Sequence, residues 1–325
     1  MSHAPNTLSL VADIGGTNTR VALAKGTSVL AGTVTKYRNE AHESLEDVLR
    51  QFIKEQDNVD TAAACVAIAG PVRNGQASMT NLDWEIDEAT LSAATGAERT
   101  ALLNDLQAQG HALGFLPAAS ERTLFKGTSP ETGTARLMIG LGTGFNIAPV
   151  FETSNGRYVA ASESGHISLP VLSETDARLA DWVIEHYGFP TIEHALSGGG
   201  LENLYRFHCR QADEKADLSA AQIMAAHNTE SSPEASRAVE QFIRLLGTVC
   251  GDFALVQLPF SGIYLVGGVA RAMVPHLNDH GFIDAFKAKG RFADFMNTFS
   301  IRTIEDDFAA LTGCAAYLDS LRTGA

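Results

Sequence analysis

The sequence has few of the residues that cross-link small secreted domains or form short zinc motifs. Its 325 residues include only 4 cysteines, and no two of them are close in sequence. This spacing excludes a CxxC redox pair, a zinc knuckle and a readable disulfide framework. We therefore expect four reduced and buried thiols in a cytoplasmic protein: Cys65, Cys209, Cys250 and Cys314.

Positive charge and long apolar runs are scarce as well. Lys and Arg number 24 against 38 Asp and Glu, which gives a net charge of -14. This balance argues against a nucleic acid or an anionic membrane as partner. No apolar run reaches the roughly 18 residues of a membrane span, and the N-terminus lacks a basic segment followed by an apolar one. We expect no membrane partner and no secretory signal.

The hydrophobic pattern predicts strands that alternate with helices. A chain of 325 residues is long enough for about two domains. Apolar runs on both sides of Gly15-Gly16 predict a hairpin, and residues 43–56 carry apolar side chains at helical spacing. The second half is mostly helical, and its longest helix is predicted to begin at Ser232-Pro233. The pattern therefore predicts an α/β architecture.

Three glycine-rich turns directly follow apolar strands. They are Gly15-Gly16-Thr17, Gly142-Thr143-Gly144 and Gly267-Gly268. Backbone N–H groups converge in such turns without a side chain in the way, which suits phosphate oxygens. The sequence contains no GxxxxGK[ST] motif and no strand–GxGxxG–helix unit. It is therefore not a P-loop protein, and a dinucleotide site is disfavoured.

The first two turns resemble each other. Residues 13–17 can be laid over residues 140–144, which indicates either two related halves or two unrelated hairpins. Asp13, at the end of the first strand, is either an Asx-type turn residue or a holder of Mg²⁺ beside phosphates. The sequence pattern leaves both alternatives open.

Six motifs occur in a characteristic order: ADIGGTNTR, LLND, GLGTGFNIAP, SESGHISLP, IEHALSGGGLENLY and YLVGGVARAM. Together they resemble bacterial ATP-dependent glucokinases, which form part of the sugar-kinase branch of the hexokinase, actin and Hsp70 superfamily. The resemblance implies an α/β, two-domain actin-like ATPase (ribonuclease H-like) fold with a cleft between domains. The small α/β domain would contain residues 1–115 and 306–325, and the large α/β domain residues 116–305.

The resemblance also implies which residues carry the chemistry. The family's catalytic base is the Asp of an Asn-Asp pair, here Asp105, and a carboxylate there can accept the proton of a sugar hydroxyl. Asp13 would hold Mg²⁺ through water and phosphates. ATP would contact Ala12, Asp13, Ile14, Gly15, Gly16, Thr17, Gly142, Thr143, Gly144, Gly267 and Gly268. Glucose would be bound by Asn104, Asp105, Glu163, His166, Glu193 and Asn81.

Several of these residues also have an ordinary structural interpretation. An Asn-Asp pair after a strand, such as Asn104-Asp105, is typical of a helix N-cap. His166 could be a hydrogen-bonded structural histidine, and Glu193 a solvated charge at a helix start. Their value as site residues rests on the ordered motifs, since each residue alone is weak.

The implied function is transfer of the ATP γ-phosphoryl group to the 6-hydroxyl of glucose by a homodimer. A kinase for another hexose or an N-acetylhexosamine is the main alternative. A sugar-responsive regulator would need a DNA-binding motif ahead of the first strand, where only MSHAPNT stands. A third alternative, an acetate-kinase or chaperone-type ATPase, gives no reason for the Glu163, His166 and Glu193 set.

The chain departs from related sugar kinases at three places. Residues 168–182 contain no cysteine where relatives carry a zinc motif, so no structural zinc is expected there. Phe145-Asn146 replaces a second glycine in the central turn, and Asp307-Phe308-Ala309 replaces an Asn-Pro-Gly. The last replacement bears on nucleotide preference, because that segment belongs to the nucleotide-binding half in the family.

Overall fold

A computed structural model describes residues 7–79, 82, 84–128 and 135–323. Two compact units emerge. Unit 1 contains the described residues up to Ser120, Val150–Ala161 and those from Asp306, while unit 2 contains Glu121–Pro149 and Ser162–Glu305. Helices pack on β-sheets in unit 1 and around a large core in unit 2. The predicted α/β class is therefore confirmed. No helix in the described part of the chain is long and apolar enough to cross a membrane.

Unit 1 has a mixed central sheet. Its strands follow the order β3-β2-β1-β5-β9, with β4 paired to β2. β1 is antiparallel to β2 and parallel to β5, and β5 is parallel to β9. The strands of unit 1 are β1 (Leu8–Ile14), β2 (Asn18–Lys25), β3 (Ser28–Val29), β4 (Thr35–Arg38), β5 (Ala63–Ile68), β6 (Val72–Arg73), β7 (Gln76–Ser78), β8 (Glu85–Asp87), β9 (Arg99–Asn104) and β13 (Gly156–Val159).

Helices cover both faces of this sheet. One face packs against α1 and α2 in a core of large aliphatic side chains, and the other packs against α3 and α10 in an alanine-rich core. The predicted helix over residues 43–56 is confirmed, because Ser44 caps α1 by accepting the Asp47 N–H at 3.3 Å. The helices of unit 1 are α1 (Leu45–Glu55), α2 (Glu88–Thr95), α3 (Asp105–Ala112) and α10 (Ala309–Thr323).

A small three-stranded sheet, with the order β6-β7-β8, belongs to the same unit. This sheet was not predicted from the sequence, because its strands have only two or three residues and show no alternation. Asn81 falls outside the described residues.

Unit 2 repeats the hairpin arrangement in a larger, mostly helical body. Strands follow the order β10-β15-β14-β11-β12, in which β14 is parallel to both β11 and β15, and β15 is antiparallel to β10. β12 continues into unit 1, where its end pairs with β13. The strands of unit 2 are β10 (Glu121–Phe125), β11 (Ala135–Leu141), β12 (Phe145–Thr153), β14 (Ile263–Val266) and β15 (Ile301–Ile304).

Unit 2 is mostly helical, as the sequence predicts. The longest begins where the sequence predicts, with Ser232 as N-cap and Pro233 at its first position. Its apolar face and those of its neighbours form one aromatic-rich core. The helices are α4 (Glu174–Tyr187), α5 (Gly198–Ala212), α6 (Ala220–Asn228), α7 (Pro233–Gln257), α8 (Gly268–Met273) and α9 (Phe282–Lys287).

Candidate active site

The first glycine turn joins β1 to β2 in unit 1. The Gly15 N–H donates to the Asn18 carbonyl at 3.0 Å, which closes the turn. Gly16 and Thr17 are exposed at its tip. Ala12 and Ile14, by contrast, bury their side chains completely. Any contact that these two residues make with a nucleotide must therefore come from their backbone.

A buried asparagine braces this turn. The Asn39 side chain donates to the Gly15 carbonyl at 2.8 Å and accepts from the Thr19 hydroxyl at 2.8 Å. Its backbone N–H donates to the Thr17 carbonyl at 3.0 Å. Asn39 is only 2% exposed, so water does not compete for these bonds. Asn39 was not predicted from the sequence, because no motif marks a bracing residue so far from the turn.

Asp13 stands just before the turn, with a side chain that is 18% exposed. Burial raises the pKa of its carboxyl, while the Arg20 guanidinium, 3.5 Å away, acts in the opposite direction. Mg²⁺ is typically held by one or two carboxylates together with substrate phosphates. A half-buried carboxylate beside a turn of exposed backbone fits that donor set, and Arg20 is the cation already near it.

Asn104 and Asp105 lie at the end of β9. The register aligns Asp13 of β1 with Ala67 of β5, and Ala67 with Leu103 of β9. Since these three strands are parallel, Asp13 and Asp105 lie at the same edge of the sheet, two strands apart.

The N-cap interpretation of this pair is confirmed. Asn104 caps α3 by accepting the Leu106 N–H at 3.0 Å, and its amide donates to the Gly70 carbonyl at 3.1 Å. Asp105 is the first helical residue and also accepts from the Leu106 N–H, at 2.8 Å. The cap fixes where Asp105 sits, so the structural role and a catalytic role are compatible.

Asp105 has the electrostatics of a general base. Burial, followed by the nearby negative charge of Asp13, raises the pKa of Asp105 to about 6. A base works best when its pKa lies near the working pH, because it is then both ionised and able to hold a proton. The hydrogen bond from Leu106 lowers this pKa, but burial outweighs it.

The second glycine turn joins β11 to β12 in unit 2. The Gly142 N–H donates to the Gly144 carbonyl at 2.9 Å, and the Gly198 N–H donates to the Gly142 carbonyl at 2.8 Å. The Glu193 carboxylate accepts the Phe145 N–H at 2.8 Å. A Cβ on Gly144 would lie 2.5 Å from that carboxylate. A side chain at this position would therefore displace the Glu193 carboxylate.

Three predicted sugar-binding residues come together beside this turn. The Glu193 N–H donates to the Gly165 carbonyl at 2.9 Å, and the Ile192 N–H to the Ile167 carbonyl at 3.0 Å. This pairing brings Glu193 next to the bend that carries Glu163 and His166. Both of those residues are exposed. The structural-histidine alternative for His166 finds no support in burial.

Asn146, which stands where relatives have glycine, organises the same bend. Its side-chain oxygen accepts the Ser164 N–H at 3.0 Å and the Ile147 N–H at 2.8 Å. Its amide also donates to the Ser162 carbonyl. Asn146 therefore holds the residues on both sides of Glu163. The substitution is visible in the sequence, but this positioning role is not.

The third turn follows β14, which is the parallel neighbour of β11. Gly267 has a φ of 104°, and a Cβ there would collide with the Leu141 carbonyl. Only glycine combines this conformation with such close packing. The second and third turns are therefore neighbours at one edge of the unit 2 sheet.

The predicted residues thus form two groups. Unit 1 gathers Asp13, the first turn and the Asn104-Asp105 pair, and unit 2 gathers the other two turns with Glu163, His166 and Glu193. These groups supply the Asp105 carboxylate with its raised pKa, exposed backbone turns and side chains suited to sugar hydroxyls.

Comparison with known proteins identifies the family of this chain. The family model for glucokinases matches residues 10–321. A glucokinase of Yersinia pestis is 33% identical over 316 residues, which is 96% of each chain.

Solved structures extend the likeness to the fold. A glucokinase from an Antarctic psychrotroph is 28% identical, with a TM-score of 0.85 over 96% of this chain and 98% of that chain. A ROK family glucokinase from Streptomyces griseus, solved with glucose and AMPPNP, has a TM-score of 0.65 at 18% identity and covers 96% of this chain and 98% of that one.

The fold and the two groups of residues define an ATP-dependent sugar kinase with the actin-like ATPase fold. Within that class, the chain belongs to the glucokinase family. The family resemblance and the fold expected from the sequence are both confirmed.

Proposed function

We propose that this chain transfers the γ-phosphoryl group of ATP to the 6-hydroxyl of glucose, with Asp105 as general base. The observation that carries the proposal is the half-buried Asp105 carboxylate, with a pKa of about 6, at the strand edge that also carries Asp13 and the first glycine turn. The proposal assigns the residues of both units to the same pair of substrates.

In the proposed reaction, the Asp105 carboxylate accepts the proton of the 6-hydroxyl. The hydroxyl oxygen forms a bond to the γ-phosphorus as the bond from that phosphorus to the bridging β,γ-oxygen breaks, and ADP leaves. The protein performs little covalent chemistry in such a transfer, so alignment and charge stabilisation account for catalysis. Asp105 is aligned by the α3 cap that Asn104 forms.

Backbone N–H groups of the first two turns would bind the phosphate oxygens. The third turn, Gly267-Gly268, would lie near the adenosine. Asp13, with its half-buried carboxylate, would hold Mg²⁺ through water. When bound, Mg²⁺ neutralises charge on the phosphates.

Sugar hydroxyls need partners that donate and accept. Glu163 and His166 are exposed and suited to this task. Glu193 uses one carboxylate oxygen on the Phe145 N–H and keeps the other for a hydroxyl. Asn104 retains one amide hydrogen after forming the cap and donating to the Gly70 carbonyl. Asn81 stays in the proposed set on the family resemblance alone.

The assembly and compartment are proposals too. We propose a homodimer in the cytoplasm, with no nucleic acid or membrane partner. All four cysteines are free and buried, as suits a reducing compartment. Exposed apolar side chains on and near α4 are candidates for contact with a second copy, which sedimentation would test: Val171, Leu172, Ile184, Tyr187 and Phe189.

ADP formation with MgATP, measured across a panel of sugars, tests the proposed function. Glucose, mannose, fructose and the N-acetylated hexosamines form the panel, with a reaction lacking sugar as control. We expect the highest kcat/KM with glucose. Preference for an N-acetyl sugar would replace the substrate and keep the base, whereas no turnover with any sugar would contradict the proposal.

A further inference from the structure

Three histidines in unit 2 form a cluster that the kinase reaction does not use. They are His227, at the end of α6, and His276 and His280, in the segment between α8 and α9. Each offers one ring nitrogen, and these nitrogens all lie within 4.8 Å of one another. The ring centroids of His227 lie 4.8 Å from His276 and 5.1 Å from His280. We propose that this cluster is a binding site for a zinc-class divalent metal ion, joining α6 to the α8–α9 segment.

The cluster has the ligand chemistry of such an ion. Zinc binds imidazole nitrogen at about 2.0–2.1 Å in tetrahedral sites, often with three protein ligands and one water. Tetrahedral geometry places ligand nitrogens about 3.4 Å apart. Side-chain rotations that move the ring nitrogens by about 1 Å would therefore bring them to this spacing. Magnesium prefers oxygen ligands, which separates this cluster from the proposed Mg²⁺ position at Asp13.

A neighbouring hydroxyl orients one of the rings. Nδ1 of His227 lies 3.2 Å from the Ser236 hydroxyl oxygen. This contact leaves Nε2 as the ligand atom, as in metal sites where the second ring nitrogen is held by a hydrogen bond. Acidic side chains also line the hollow around the cluster, namely Glu230, Glu240 and Asp279. They supply negative charge for a cation and a candidate fourth ligand.

The backbone that carries the cluster is anchored. His276 and His280 flank Leu277, which is 3% exposed and belongs to the core of unit 2. The Asp279 N–H donates to the His276 carbonyl at 3.2 Å, and the Phe282 N–H donates to the Leu277 carbonyl at 3.2 Å. The two ligands on this segment are therefore largely preorganised, and the third comes from a helix packed on the same core.

A cobalt titration of the untagged full-length protein, stripped of metal beforehand, tests the proposal. Co²⁺ is a spectroscopic probe for zinc sites, because four-coordinate Co²⁺ absorbs visible light strongly. One Co²⁺ per chain is expected to give such a band, and Zn²⁺ is expected to displace it. Zn²⁺ should also raise the Tm of the metal-free protein, because it binds the folded state.

Variants decide whether the cluster is the site. His227→Gln and His276→Gln should each weaken Co²⁺ binding by about 100-fold or more and remove the Zn²⁺-dependent rise in Tm. His186→Gln is the matched control, since His186 is an exposed histidine of the same unit that stacks on Trp182. It should bind as the unmodified protein does. Circular dichroism of the metal-free variants checks that they fold.

The outcomes are separable. No cobalt band in the unmodified protein would overturn the proposal, and so would a band that survives in folded His227→Gln and His276→Gln. Glucose phosphorylation is measured in parallel with MgATP and should be unchanged in His276→Gln. The absence of Co²⁺ binding at the cluster would therefore leave the proposed kinase function unaffected.

Discussion

The sheets of the two units share a strand order but carry different residues at one edge. Four strands in unit 1 run in the order β2-β1-β5-β9, and four in unit 2 run β12-β11-β14-β15. In both, a glycine turn links the first pair, and the next strands are parallel to the inner one. This shared order favours two related halves over two unrelated hairpins.

The difference lies in which groups the edge presents. Asp13, before the first turn, corresponds to Gly140 before the second, so the carboxylate occurs in unit 1 alone. In unit 2, β14 is followed by Gly267, where a side chain would not fit. Glu163 and His166 instead come from a bend beyond the sheet. Under the proposed function, unit 1 would supply the general base, both units would supply glycine turns for ATP, and unit 2 would add Glu163, His166 and Glu193 for the sugar hydroxyls.

Among changes to the two turns, the largest effect should come from removing the Asp13 carboxylate, which distinguishes the first turn from the second. Asp13→Asn is expected to lower kcat/KM for MgATP by about 10²–10³-fold, because charge on the phosphates loses its counterpart. Steady-state kinetics with varied MgATP measures this. Glu40→Gln, which neutralises an exposed carboxylate of the same unit, is the control. Equal activity of the two variants would contradict the role of Asp13.

A methyl group should separate the two turns. Gly144→Ala is expected to lower kcat/KM about 10²-fold, since the added Cβ would push against the Glu193 carboxylate. Gly15→Ala should cost far less, because its Cβ would meet only the Asn18 carbonyl at an ordinary 3.5 Å. Kinetics of both variants with varied glucose and MgATP makes the comparison. A larger loss of kcat/KM in Gly15→Ala than in Gly144→Ala would contradict the conclusion that the second turn tolerates a methyl group less well than the first.

The pH dependence of kcat/KM should reflect the titration of Asp105 in unit 1. The proposed reaction needs ionised Asp105, so kcat/KM for glucose should fall about tenfold per pH unit as the pH drops below about 6. Initial rates in a constant-ionic-strength buffer between pH 5 and 8 measure the profile. Thermal unfolding at each pH confirms that the protein stays folded. A flat profile down to pH 5 would contradict a base with this pKa.

The smallest effects should come from the two asparagine braces. Asn39→Ala should lower the free energy of unfolding by about 1–3 kcal/mol, because it leaves buried hydrogen-bond groups unpaired. It should also raise KM for ATP a few-fold, since it loosens the first turn. Asn146→Ala should instead raise KM for glucose, because it frees the bend that holds Glu163. Denaturant unfolding and steady-state kinetics distinguish the two variants. A raised KM for glucose in Asn39→Ala and for ATP in Asn146→Ala would contradict these roles.

Much of the fold could be predicted from the sequence, because it is locally encoded. The apolar run before Gly15, the helical spacing in α1 and the Ser232-Pro233 start of α7 each specify their own element. The β6–β8 sheet could not be predicted, since strands of two or three residues leave no period to detect. Its stability comes from tertiary contacts.

The site was predictable where residues stand in motifs and not where they act at a distance. Asp105 and His166 stand inside ordered motifs. Asn39 braces a turn more than twenty positions earlier, and nothing local in the sequence connects the two. The three-histidine cluster was missed for the same reason, because His227 and His276 meet only in the folded chain.

Asp105→Asn tests the central claim most directly, since it removes the base and keeps the oxygen that accepts the Leu106 N–H. A folded-state pKa raised to about 6 means that ionised Asp105 opposes folding above that pH, and protonation relieves this as the pH falls. The Tm at pH 8 should therefore not drop.

The decisive comparison is turnover against glucose binding by this variant, measured by kinetics and calorimetry. The account predicts that kcat falls by about 10²–10⁴-fold while glucose binding stays measurable. Turnover close to that of the unmodified protein would contradict it.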